Sequence, residues 1–495
     1  IIAIEDRADL LRAALTLYDW RKHFESTRFV LLFGPDAWKV LSKFLDRYAF
    51  SALERASVIP GSGPAESNCA LAENIAATVK RAADTQRQLA VSLIKEELSH
   101  GLSQKRSHVR KVLWLVPGHN YLQKCCVASL NELGIKADHH LWISAVYRYI
   151  KRYEWIRLLQ EYEPDALVLV NATPVTFFGG VEIDRLSVRV ASWFVDNPQR
   201  FVREPVDLAG VDLIASFDKF YLPYLKGLGA NNLIEIRTAA GLFRRIDSGQ
   251  SADGPAVSFV GELGTRGFWD LQTLVSRSMP DLHKAIQVAL DKYAKDPSQS
   301  LEDLYNRHAD TARFPFRGST VELVENQAAY IRRKQTLEAV SDLGLVTFGD
   351  TDWGNPQRAG ALADCWAGRR VDYFDELPAV YAGSQINVNI FHPQCRLAPN
   401  PRVYDVLACG GFLLTTDNPG LADEFTDGEH LVVFRTADEL RELIRYYLEH
   451  PDKRRRIALA GQQRILAACR YHDRMRRFFS AFDQIHMGDS YVYSC

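Results

Sequence analysis

No apolar run in the chain approaches the roughly 18 to 20 residues that a membrane-spanning helix needs. The longest, KVLWLVP and DALVLVNA, are strand-length. Charge of one sign is not in excess either: 60 Lys and Arg stand against 61 Asp and Glu, a formal charge of -1. That balance argues against a nucleic-acid binder, which needs a surplus of basic groups over phosphates. Eight cysteines are scattered without a CxxC pair, as expected of reduced thiols in a cytosolic protein. The opening IIAIEDRADLL lacks the basic start, apolar centre and small-residue exit of a secretory signal. Its first residue is not Met, so the chain is expected to begin inside a longer one. What is present is ordinary for packed domains: 47% hydrophobic, 24% charged and 11% aromatic residues over 495 positions. That is about three domains at roughly 150 residues each.

Residues 1 to 105 read as a mainly helical module, from stretches such as DRADLLRAALTLYDWRKHF and CALAENIAATVKRAADTQRQLAVSLIKEELSHG, with one strand-like run, RFVLLFG. The module carries no chemical constellation and is expected to serve oligomer or partner contact. From 106 the texture changes to continuous apolar strands alternating with amphipathic helices, the signature of a parallel sheet covered on both faces. The alternation runs to 245, breaks at the turn-rich GLFRRIDSGQSADGPA, and restarts for 246–480 with a helical insertion at about 281–340 and a tail at 481–495. The expected fold is therefore α/β, with two Rossmann-like domains facing across a cleft after a helical N-terminal region. Ligands of such folds bind beyond the carboxyl ends of the strands. The final stretch DKRRRIALAGQQRILAACRYHDRMRRFFSAF reads as one long helix with basic runs at Lys453–Arg456 and Arg474–Arg477. Those runs suit a solvated face or peripheral contact with anionic lipid.

The most informative segment is INVNIFHPQCRLAPNPRVYDVLACGGFLLTTD, residues 386–417. A buried strand ends near Phe391. After a loop, Asn400 is placed to cap a helix and Pro401 suits its first position. The free N–H groups and positive end of that helix would form an anion site fit for a diphosphate. Arg402 could add a charged fork. Asp405, one turn deeper, could accept bonds from two ribose hydroxyls, and Gly410 and Gly411 end the helix and permit close backbone approach. On spacing alone, an ordinary helix start with a surface Arg–Asp pair is the favoured reading.

The segments SFVGELGTRG, TFGDTDW, VDYFDELPAVYAGSQINVNIF, NPRVYDVLACGGFLLTTDNPGLADEF and YHDRM, with SWFVDNP and SFDKFYLPYLKGLGANNL upstream, alter that balance. Together, over roughly 106 to 480, they resemble the CgeB-like (spore maturation protein) glycosyltransferases of GT-B fold. The resemblance implies transfer of a sugar from a nucleoside diphosphate sugar, and gives Asp405 the donor ribose. Many relatives carry a second Glu eight positions upstream. Here that position is Leu397, which points away from a retaining mechanism. The chain also departs from the family in Cys469-Arg470-Tyr471, where His-Thr-Tyr is common, and in IEIRTAAGLF.

Gly261 and Arg266, in the turn after a strand, suit the pyrophosphate of that donor, and His392 could touch the transferred sugar. A general base for a hydroxyl acceptor is expected at a strand end of the first domain: Asp196 in SWFVDNP is preferred, with His119 in LVPGHN as the other candidate. Asp350 and Asp352 form an Asp-x-Asp, but the resemblance favours the metal-free architecture, so no metal and no cofactor is expected beyond the sugar nucleotide itself. The expected protein is a cytoplasmic, inverting transferase with a protein, glycan or lipid-linked hydroxyl acceptor, and peripheral contact with the inner membrane face is a further expectation. The rivals are a non-catalytic carbohydrate- or partner-binding protein on the same scaffold and, more weakly, a metal-dependent phosphotransferase.

Overall fold

The structure, a computed structural model, describes residues 108–117, 121–142, 162–175, 188–241, 254–264, 279–296 and 299–486, with the short pieces 2–5, 30–33 and 76–81 and isolated positions besides. Most of the expected N-terminal helical module therefore lies outside the described residues. Within it, β1 (Ile2–Glu5) pairs in parallel with β2 (Val30–Phe33), the latter inside RFVLLFG.

Two all-parallel sheets follow. The first comprises β3 (Lys111–Pro117), β4 (Lys136–Trp142), β5 (Ala166–Val170), β6 (Arg189–Phe194), β7 (Leu213–Ser216) and β8 (Leu233–Glu235), in the order β4-β3-β5-β6-β7-β8. Strands β5 to β8 are buried at every position, as continuous apolar runs between two helical layers must be. The strand β4, KADHHLW, lacks the continuous apolar run of its neighbours. It is the edge strand, with Lys136 and Asp138 exposed on either side of buried Ala137, so its polarity is that of an edge and not of a loop.

The second sheet comprises β9 (Val257–Val260), β10 (Leu345–Phe348), β11 (Ile386–Asn389), β12 (Leu413–Thr416) and β13 (Val432–Phe434), in the order β10-β9-β11-β12-β13. Strand order reverses between β3 and β5 in the first sheet and between β9 and β11 in the second, and a crevice opens beyond the carboxyl ends at each such point. The two sets of carboxyl ends face each other. Phe217, Tyr221 and Ala240 of the first domain share an apolar cluster with Phe391, Val403 and Tyr404 of the second.

Helices α1 (Tyr121–Glu132) and α2 (Leu222–Gly227) belong to the first domain, and α6 (Leu377–Gly383) and α8 (Ala437–Glu449) to the second. Between β9 and β10 stand α3 (Pro280–Lys295), α4 (Leu301–Asn306) and α5 (Ser319–Glu338), with a core of their own around Leu290, Tyr305 and Val324. This insertion docks on the first domain. The Arg200 guanidinium meets the Glu325 carboxylate at 2.6 Å, and the Gly318 N–H donates to the carbonyl of Gln199 at 2.7 Å.

The C-terminal region differs from expectation. The single long helix is two, α9 (Pro451–Ala468) and α10 (Tyr471–His486). The break arises because Cys469 and Arg470 pair with the chain at the first domain's exit: Ala240 N–H donates to Cys469 O at 3.2 Å, in a parallel bridge between Ala240 and Arg470. Helix α10 then packs on the first sheet, not the second, and includes 481–486, part of the expected tail 481–495. Its Met475, Phe478, Phe479 and Phe482 lie in one cluster with Trp114, Val168 and Trp193, each side chain contributing about 2 kcal/mol of burial. Arg189 seals the joint, stacked 4.1 Å from the Phe482 ring and 3.3 Å from Asp483. The basic runs are likewise only partly solvated. Arg454 is buried against the carbonyls of Tyr447 and Leu448, and Arg474 is paired with Glu424, leaving Lys453, Arg455, Arg456, Arg476 and Arg477 exposed.

Arg237, 6% exposed, is a buried ionic link between domains: it pairs with Glu235 at 2.9 Å, with Asp423 and with Glu424 at 3.6 Å, and donates to Gly420 O at 3.1 Å. Removing one member of a buried ionic group leaves charges unpaired. Arg237→Ala is expected to lower unfolding free energy by about 3 kcal/mol, read by urea denaturation. A loss under about 1 kcal/mol would mean that the group behaves as a surface pair.

Candidate functional site

A cavity of about 300 Å3 lies between the domains, lined by Asp196 and Arg200 from the first, Glu262, His392 and Gln394 from the second, and Asn326 and Arg333 from the inserted α5. Its volume is at the lower end of small-ligand pockets. On the α5 wall, Asn326 and Arg333 are seven residues apart, two turns of one helix face.

Asp196, the preferred base, follows β6 and is half-buried on this wall. Its Oδ2 accepts from Asn171 Nδ2 at 2.7 Å and its Oδ1 from Gln394 Nε2 at 2.8 Å. His119, the other candidate, and Arg266 lie outside the described residues.

His392 lines the cavity as expected. Its Nδ1 accepts from the Gln394 N–H at 3.3 Å, which assigns the proton to Nε2, 3.3 Å from Asn326 Oδ1. Burial, with Arg200 and Arg333 nearby, holds its pKa well below the usual histidine value, so the ring is a neutral donor.

The cations divide by partner. Arg200 is neutralised by Glu325. Arg333 has no carboxylate partner among the described residues: its Nη1 donates to Glu262 O at 2.8 Å and its Nε is buried without a partner. Burial and the nearby Arg402 lower its pKa to about 10, still charged at neutral pH. A guanidinium so placed favours an anion entering the cavity. Sequence reading missed Arg333, because nothing local distinguishes it from its neighbours Arg332 and Lys334.

The helix expected after Asn400 is present as α7 (Pro401–Ala408), with Asn400 at the cap position and Pro401 first. Two of its details differ from expectation. The Asn400 side chain does not cap: its Nδ2 donates to Asn389 Oδ1 at 3.0 Å. Arg402 is not a free fork but a tie across the reversal point of the second sheet, with Nε donating to Val260 O and Nη1 to Asn389 Oδ1, both at 2.7 Å. It also stacks 4.6 Å from the Phe259 ring. A Cβ at Gly261 would stand 2.4 Å from Arg402 Nη2, so a larger residue there would displace that guanidinium from its ties. Gly261 leaves room for the Arg402 side chain.

Asp405 is 3% exposed. Tyr373 OH lies 2.9 and 3.0 Å from its two oxygens, and Gly241 N–H donates to Oδ1 at 3.1 Å. Tyr373 is in turn stacked on Tyr121 of the first domain, ring centres 3.9 Å apart. A Cβ at Gly241 would meet the Tyr373 hydroxyl at 2.4 Å, so a larger residue there would push Tyr373 away. Burial raises the carboxyl to a pKa of about 7, against the lowering effect of these bonds. Gly410 and Gly411 end α7 as expected, packed against Gln462 and Asn387, about 12 Å along the helix from its start. They are helix-stop residues away from the cavity.

The Asp-x-Asp pair is split: Asp350 is buried and Asp352 is paired with Arg358. Among the described residues, no group of three or more His, Cys, Asp or Glu is placed to hold a metal ion. No helix among them is long and apolar enough to cross a membrane.

Residues 332–480 match a family model described as glycosyl transferase-like. That segment, running from within α5 into α10, is glycosyl transferase-like in sequence and covers under a third of the chain. No curated protein matches. Among solved structures, sucrose-phosphate synthase from Thermosynechococcus elongatus is similar over 77% of this chain and 100% of that one, at 12% identity and a TM-score of 0.43. The catalytic domain of starch synthase IV from Arabidopsis thaliana, bound to ADP and acarbose, covers 77% and 100% at 9% identity and 0.46. Anabaena HepE, solved with UDP and glucose, covers 76% and 100% at 11% identity and 0.41. Likeness at these levels carries no argument about ligand or reaction.

Proposed function

We propose that the protein transfers a sugar from a nucleoside diphosphate sugar to a hydroxyl acceptor, with inversion and without a metal. One observation carries the reading: a carboxylate of the first domain, Asp196, and an unpaired guanidinium of the second, Arg333, line one interdomain cavity. In the reaction, Asp196 takes the acceptor's proton while the acceptor oxygen bonds to the anomeric carbon. The bond from that carbon to the diphosphate breaks, and the diphosphate leaves with the electron pair toward Arg333 and the start of α7. Arg402 supports that start from beneath, and the neutral His392 can turn its Nε2–H from Asn326 to a sugar hydroxyl. Asp405 takes the ribose hydroxyls once Tyr373 gives way. Closure of the domains excludes water from the donor.

Inversion is supported by Leu397, which supplies no carboxylate where retaining relatives carry one. A cytoplasmic setting is supported by the sequence, whose eight cysteines are scattered without a CxxC pair, a usage that suits reduced thiols. A second reading, a non-catalytic binding protein, has in its favour that Tyr373 and Gly241 cover Asp405.

Thermal shifts and nucleotide release measured over UDP-, GDP-, TDP-, ADP- and CMP-sugars, with EDTA present, separate the two. One nucleoside diphosphate sugar is expected to raise Tm by a few degrees, as a ligand bound to the native state alone must, and to be turned over despite the chelator. Stabilisation without turnover favours the binding protein, and neither effect removes both readings.

A further inference from the structure

Asp196 is gripped from both domains by amide groups. Within the first domain, Asn171 Nδ2 donates to Asp196 Oδ2 at 2.7 Å, while Asn171 Oδ1 accepts the N–H groups of Val195 and Asp196 at 2.9 and 3.1 Å. Asn171 follows β5 with φ of 50°, a left-handed conformation that Asn tolerates better than most residues. One side chain thus joins the ends of β5 and β6 and fixes one carboxylate oxygen.

The other oxygen is held from across the cleft, by Gln394 Nε2 at 2.8 Å. Gln394 belongs to the loop that leaves β11, and first-domain groups strap that loop down. Tyr221 OH donates to Gln394 O at 2.7 Å, Asn197 N–H donates to Gln394 Oε1 at 3.3 Å, and Asp218 Oδ2 accepts the N–H groups of Arg396 and Leu397 at 2.8 and 2.7 Å. Every one of these bonds crosses between domains and is lost if they part. The bonds of Asn171 lie within the first domain and survive.

A carboxylate held at one oxygen can turn about its Cβ–Cγ bond, whereas donors at both oxygens fix its plane. Each oxygen has two lone pairs, so one on each remains for an incoming hydroxyl. We infer that Gln394 is a positioning residue for Asp196, presenting the carboxylate in a fixed plane only when the domains are closed. The inference rests on the reading of Asp196 as the base. It ties the orientation of a first-domain group to a second-domain loop, so that an open molecule carrying donor lacks an aligned base. A bond that merely added adhesion between the domains would change stability and leave turnover alone.

The test uses the full chain with Gln394→Met, of similar length but without the donor, and Gln394→Glu, which sets like charges face to face. With the sugar nucleotide that shows turnover in the panel above, Gln394→Met is expected to lower kcat roughly 10-fold or more, an effect of misplacement. Donor KM and the affinity for UDP or GDP should change by less than about 2-fold, since the group does not touch the nucleotide. Gln394→Glu should lose more, and neither change should reduce the residual rate further in an Asp196→Asn background, because the two groups act as one unit. Wild-type kcat in Gln394→Met beside an inactive Asp196→Asn would overturn the positioning role and leave the base standing. Full turnover in Asp196→Asn would overturn both. Independently of any donor, hydrogen exchange across residues 190–200 should rise in Gln394→Met, and unaltered exchange would also overturn the inference.

Discussion

Asp196→Asn is expected to lower turnover by roughly 10²- to 10⁴-fold, the usual contribution of a general base, while nucleotide affinity stays within about 2-fold of wild type. The substitution is nearly isosteric. An Asn there still accepts at one oxygen, from Asn171 or from Gln394, so the local fold should persist. What disappears is the capacity to take a proton from an attacking hydroxyl. Steady-state rates of nucleotide release beside calorimetry with UDP and GDP separate the two quantities. A variant that turns over normally would move the base elsewhere, His119 being the other sequence candidate. A variant that also fails to bind would mean that Asp196 touches the donor.

Asp405→Asn is expected to stabilise the protein at pH 8 and to weaken nucleotide binding. The Asp405 carboxyl has a folded pKa of about 7, against an ordinary value of 3.8. Between those values the folded state keeps a proton that the unfolded chain has released, so stability falls as pH rises from about 4 to about 7 and stays low above. At about 1.4 kcal/mol per unit, the cost approaches about 4 kcal/mol as an upper bound. Asn carries no such cost, so the variant's advantage in thermal or urea unfolding should grow across that window and vanish near pH 4. The ribose, meanwhile, would lose a charged acceptor, a change of about 1.5 to 3 kcal/mol, or roughly 10- to 100-fold in Kd. Parallel stability curves for the two proteins from pH 4 to 8 would refute the buried-acid account. Unchanged calorimetric affinity for both UDP and GDP would refute the ribose assignment.

These expectations differ in how far the chain itself announces them. Asp196 is legible because an apolar strand ends directly before it, and in a parallel sheet such an end opens on the crevice. Helix α7 is legible from the Asn-Pro at its start and the Gly-Gly at its stop, both local in origin. The bonds of Arg402 are not, since its partners Val260 and Asn389 belong to strands that become neighbours only in the folded sheet. Gln394 and Arg333 were missed for the same reason: their significance lies in what the other domain or an inserted helix brings opposite them. The strand β4 was hidden by its edge position. The break after Ala468 was hidden by a contact with Ala240, more than two hundred residues earlier. Local chemistry is thus readable from local residues, and what depends on two domains meeting is not.

The pairing of Ala240 with Arg470 has a mechanical consequence. The polypeptide nears the end of the first domain at Ala240 and returns to that domain at Arg470, and the two backbones are bonded to each other there. A single tether would let the lobes swivel freely, whereas two bonded together act as a hinge pin that permits bending and resists torsion. Opening would then follow one arc, and each return would bring the same atoms back into register.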